Sequence, residues 1–99
     1  MTYESFVACL AEAEPPTGIS LVLQGLWYAG RQQWEQAHTL AQVTDRDQRH
    51  NWLHAYLHRQ EGDLGNAAYW YRRAGRSVFT GSLTEEWEQL VRAQPEIAR

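Results

Sequence analysis

Two stretches of this chain echo each other thirty residues apart, and that internal repeat constrains the fold more than any other feature. The first runs Gly25-x-x-Tyr28 and then Trp34-x-x-Ala37-x-x-x-Ala41. The second runs Ala55-x-x-His58 and then Leu64-x-x-Ala67-x-x-x-Tyr71. Small residues recur at Gly25 and Ala55, and again at Ala37 and Ala67, where two helices have to approach closely. A helix pair that cannot bury its apolar face alone stacks on its neighbours. The repeat therefore points to a short α-solenoid, an architecture used far more for binding other chains than for catalysis.

The flanking residues fit helices throughout. Residues 3–14 read as a helix with Phe6, Val7, Leu10 and Ala11 on one side, stopped by Pro15-Pro16-Thr17-Gly18. Thr17 or Ser20 can cap a second helix over 19–31, whose apolar residues are Ile19, Val22, Leu23, Leu26 and Trp27. That greasy face needs a cover, from the N-terminal helix or from a second copy of the chain. After a tight turn at Arg31-Gln32-Gln33, a third helix over 33–43 turns Trp34, Ala37, Leu40, Ala41 and Val43 inward. Asp45 or Asp47 can cap a fourth over 48–61. Gly62 can take a positive φ, and Asp63 can cap a fifth helix over 64–74. In that helix Tyr69, Trp70 and Tyr71 cannot share one face, so one ring points outward. Residues 76–81 read as a linker whose Val78 and Phe79 tuck onto the core. Ser82-Leu83-Thr84-Glu85 has capping-box spacing and opens a last helix over 83–94, with Leu83, Trp87, Leu90 and Val91 on one face. No period-two strand pattern occurs.

Composition removes several function classes. The 99 residues include five Trp, which favours a packed domain over disorder. A net charge of −3 gives no electrostatic case for nucleic acid. Cys9 is the single cysteine, so no internal disulfide forms and a reducing, cytoplasmic location is the simpler expectation. The first residues carry Glu4, Glu12 and Glu14 and do not read as a signal peptide, and no apolar run spans a bilayer.

The second unit, with Ala55, then Glu61-Gly62-Asp63 at the turn, then Ala67, Tyr71 and Ala74, resembles a tetratricopeptide repeat. The first unit joins it through Gly25, Tyr28, Trp34 and Ala37, so the resemblance covers about residues 19–75. Its period is shorter than the family's, and Leu21 and Asn51 stand where the family has a large aromatic. The resemblance implies an all-α, single-domain short solenoid of about six helices. An N-terminal capping helix (1–18) and a first helix pair (19–44) precede a second pair (45–75), then a linker and C-terminal capping helix (76–99). It also implies a non-catalytic protein- or peptide-binding module without cofactor.

On that reading the stripe Arg49, Trp52, Tyr56 and Arg59, spaced three, four and three, lines the concave face. Two guanidiniums flanking two rings suit the acidic groups of a protein or peptide partner. The alternative is that Trp52 packs under a neighbouring helix with the arginines at its edge. A separate constellation is His50, His54 and His58, on one helix side at steps of four. The last two can hold a metal with Glu61, or with His38 from the preceding helix, or can simply pack between paired helices, with His50 exposed. A homodimer through an exposed solenoid face is a third possibility. Phosphate loops and nucleophile elbows are absent from the sequence.

Overall fold

Side chains suited to helix initiation stand at nearly every helix start. The computed structural model describes residues 1–98. Helix α1 (Tyr3–Ala8) opens on a capping box between Thr2 and Ser5 and runs into a single 3-10 turn, Cys9–Ala11. Helix α2 (Leu21–Gly30) is capped by Ser20, whose hydroxyl accepts from Leu23 N. Helix α3 (Trp34–Ala41) lacks a side-chain cap. Asp47 caps α4 (Gln48–Gln60), Asp63 caps α5 (Leu64–Arg73), and Ser82 with Glu85 forms a capping box on α6 (Leu83–Arg92). Each such cap satisfies amide donors that a helix start leaves without partners, worth about 1 kcal/mol. Among the described residues there is no strand, and no helix is long and apolar enough to cross a membrane.

The thirty-residue echo is also present in the backbone. Gln33 N donates to Tyr28 O and Asp63 N to His58 O, both at 2.9 Å, closing the two hairpin turns with the same six-residue motif. The residue before each donor has a positive φ, 63° at Gln32 and 88° at Gly62. Glycine adopts that conformation freely; glutamine does so at a cost. The first unit thus makes the same turn with a less suitable residue.

The most extensive packing joins α4 with α5 and α2 with α3, and α4 also touches α2, α3 and α6. Helix α4 is consequently buried on nearly every side from His50 to His58. Gly25 sits where α2 crosses α4 and α3: a Cβ there would lie 2.7 Å from Leu53 Cδ2 and 3.6 Å from Leu40 Cβ. Ala37, Ala55 and Ala67 are likewise buried. Gly25 thus stands at a close approach, as the echo implies, and the three alanines lie in the core.

Several details depart from the sequence reading. The first helix ends at Ala8 rather than Glu14, although the 3-10 turn after it stays anchored: Trp27 Nε1 donates to Cys9 O, and Arg31 to Leu10 O and Glu12 O. Val43 is exposed because α3 stops at Ala41. Val78 is exposed too, and only Phe79 of that pair packs on the core. His50 is buried, its Nδ1 donating to Leu40 O at 3.1 Å. The apolar face of α2 is covered by α3, α4 and α6 together, and Trp87 of α6 donates Nε1–H to Leu26 O and stacks on Phe6 of α1. Asn51 is buried and donates its amide to Asp45 O and Gln48 Oε1, tying α4 to the loop before it. Of the three consecutive rings on α5, Tyr69 points outward.

Candidate functional site

Helix α4 presents two opposed sets of polar side chains. On the side facing α6 stand Trp52, Tyr56 and Arg59, three of the four residues of the arginine–aromatic stripe. Trp52 and Tyr56 are buried. At their centre lies Glu86 of α6, with 0% exposure. Its carboxylate accepts from Trp52 Nε1 at 3.0 Å, from Arg59 NH1 at 3.0 Å and from the Tyr71 hydroxyl. Arg59 also donates to Gly81 O and lies over the Phe79 ring. The acidic group that this stripe is chemically suited to receive is thus supplied by the chain itself. Burial, then the adjacent Glu86, raises the Tyr56 pKa to about 12, and burial together with the Glu86 hydrogen bond raises that of Tyr71 further.

Arg49 is not part of that cluster. It lies at the N-terminal end of α4, partly exposed, paired with Asp47 at 3.0 Å. That pair lowers the Asp47 pKa through the Arg49 hydrogen bond. Beside it, Arg76 from the linker places its guanidinium 3.5 Å from the centroid of the Trp52 ring. Arg49, Arg76, Trp52 and Ala93 line one shallow cleft. On the other side of Arg76 a larger cleft of about 380 Å³ is floored by Trp52 and Tyr71 and walled by residues 75–81. Among the described residues Arg76 makes no ion pair.

The sequence stripe did not reveal Glu86 or Arg76. A signal for Glu86 existed: it stands three residues after Leu83 and four before Leu90, inside the apolar stripe of α6. An acid in that position needs a buried cation or donors. Its place in the helix's first turn has a second explanation in the helix dipole, which hides the first. Arg76 lies in an irregular segment, where periodicity carries no information.

On the other side of α4, His54 and His58 meet His38 of α3. One ring nitrogen from each lies within 4.8 Å of the others. The Nε2 atoms of His38 and His54 are 3.1 Å apart, so one donates to the other when no third group intervenes. Trp34 stacks on His38 with centroids 4.6 Å apart, and Trp70 on His54 at 3.9 Å. Glu61 accepts from His58 Nδ1 at 2.7 Å. Burial, and then the neighbouring imidazoles, lower the pKa of His54 to about 4. His38 is lowered by burial and then by His58. Both rings are therefore neutral at neutral pH. His50 is turned away to the Leu40 carbonyl and stays outside the group.

No protein-family model matches the chain, and no curated protein or solved structure matches it.

Proposed function

We propose that the protein is a non-catalytic interaction module, a short tetratricopeptide-like stack that takes up an acidic peptide at the open end of α4. The observation that carries this reading is the pair Arg49 and Arg76 flanking the Trp52 ring beside two clefts. Arg76 stacks its planar guanidinium on the indole and keeps its N–H edges for a carboxylate. Among the described residues Arg49 has one ion-pair partner, the part-exposed Asp47. Exposed ion pairs contribute at most about 1 kcal/mol, so an incoming carboxylate exchanges for Asp47 at little cost. The larger cleft takes an apolar side chain next to that acid. Tyr56 and Arg59 serve differently in this mechanism. Tyr56 is buried beside Glu86, and Arg59 holds that carboxylate and thereby fixes α6, whose C-cap residue Ala93 forms part of the binding wall. Local charge supports the choice of ligand: Arg49 and Arg76 line the same cleft in a chain that is acidic overall.

An array of acidic, neutral and basic peptides, read by tryptophan fluorescence, tests the reading. Acidic peptides with a neighbouring apolar residue should bind, and Arg49→Ala/Arg76→Ala should weaken them at least about tenfold, a 1.4 kcal/mol effect, with unchanged circular dichroism. The reading fails if no acidic peptide binds, or if binding is indifferent to both arginines.

A further inference from the structure

The imidazoles of His38, His54 and His58 lie away from the arginine cleft, and peptide binding makes no use of them. From their convergence we infer that the protein holds a divalent transition-metal ion of the Zn²⁺ class between α3 and α4, with these three side chains as ligands and a fourth position open.

Two features of the arrangement support this. The first is spacing. Two nitrogens bound at 2.0–2.1 Å to a tetrahedral ion stand about 3.4 Å apart. The His38 and His54 Nε2 atoms, at 3.1 Å, already stand near that separation. No two ligand nitrogens of the triad lie more than 4.8 Å apart, so closing the set asks for a side-chain movement of at most about 1.4 Å. The second is orientation from outside. Trp34 backs the His38 ring, Trp70 backs the His54 ring, and Glu61 accepts a hydrogen bond from His58 Nδ1–H. With Nδ1 protonated, His58 carries its lone pair on Nε2, the carboxylate–histidine–metal pattern that fixes the tautomer of a ligand.

The ligand chemistry defines the ion. Three imidazole nitrogens without thiolate suit Zn²⁺, Cu²⁺, Ni²⁺ or Co²⁺ and do not suit the oxygen-seeking Mg²⁺ or Ca²⁺. An approach exists, since His38 is half-buried and a cleft of about 410 Å³, lined by Asp45, His54 and Trp70, borders the group. Bound there, the ion joins the first helix pair to the second, because His38 belongs to α3 and the other two ligands to α4. It therefore stabilises their packing by mass action.

The test uses the full chain, expressed without a histidine tag and stripped of metal by chelation. Zn²⁺ titrated by calorimetry should bind one ion per chain with a micromolar or lower Kd, and Co²⁺ should develop the visible absorption of a tetrahedral nitrogen site. His38→Ala should weaken Zn²⁺ at least about 100-fold, Glu61→Gln about tenfold, and His50→Gln not at all. His38→Phe keeps a ring against Trp34 while removing both nitrogens, so it separates ligand loss from loss of packing. Binding no tighter than millimolar would overturn the inference. So would Zn²⁺ affinity that survives in both His38 variants, or affinity that falls equally in His50→Gln. None of these results bears on the arginine cleft, which is tested by peptides.

Discussion

Glu86 is the residue whose replacement tests the packing most severely. Its carboxylate is fully buried and serves three donors on two other helices: Trp52 Nε1, Arg59 NH1 and the Tyr71 hydroxyl. Glu86→Ala leaves all three without their acceptor. The Arg59 side chain, only 18% exposed, then carries a charge with no carboxylate beside it. Breaking one half of a buried ion pair costs about 3–5 kcal/mol, mainly because the surviving charge stays desolvated. A domain of this size is stable by about 5–15 kcal/mol in total. The loss should therefore lower Tm by at least about 12 °C, using about 4 °C per kcal/mol for a domain of this size. Urea unfolding followed by circular dichroism at 222 nm measures it. Arg59→Met/Glu86→Leu removes both charges and should recover much of the stability lost in Glu86→Ala. A cost under about 1 kcal/mol for Glu86→Ala, or no recovery in the double variant, would refute the claim that this carboxylate fixes α6 to α4.

Other substitutions probe separate parts of the account. Gly25→Ala puts a methyl 2.7 Å from Leu53 Cδ2 and should destabilise by about 1–3 kcal/mol in urea unfolding, since the crossing has to open. Gln32→Gly gives the first turn the residue type of the second and should stabilise by up to about 1 kcal/mol, because the positive φ then carries no side-chain penalty. Tyr56 and Tyr71 bind their protons more tightly folded than unfolded, so their contribution is complete below pH 10 and is lost as pH rises through the folded values. Stability should fall between pH 10 and about 12, and ultraviolet titration should show two tyrosines still protonated at pH 11 in the folded chain.

Much of the fold is legible in local sequence because its determinants are local. Asp63 after Gly62, Ser82 with Glu85, and the small residues at Gly25 and Ala55 each act within a turn or at one helix crossing, and each lies where its chemistry puts it. The arginine–aromatic stripe is legible as a shared face, since three- and four-residue steps place Trp52, Tyr56 and Arg59 together. Its occupant is not legible in the same way. Glu86 is 34 residues from Trp52 and 27 from Arg59, and no periodicity connects residues across an irregular linker. Arg49 leaves the cluster because a side chain at the first turn of α4 finds Asp47 closer than Glu86. The histidine group is intermediate. Steps of four bring His54 and His58 to one side of α4, whereas His38 joins them only through the packing of α3 on α4.

Nitrogen-15 NMR of the labelled protein, titrated with a glutamate-rich peptide, tests the proposed function most directly. The five indole N–H signals report separate regions of the chain. The account predicts saturable shifts of the Trp52 indole and of the Arg49 and Arg76 amides, with the Trp27 and Trp87 indoles unmoved. No shift at millimolar peptide, or shifts confined to residues remote from Trp52, would contradict it.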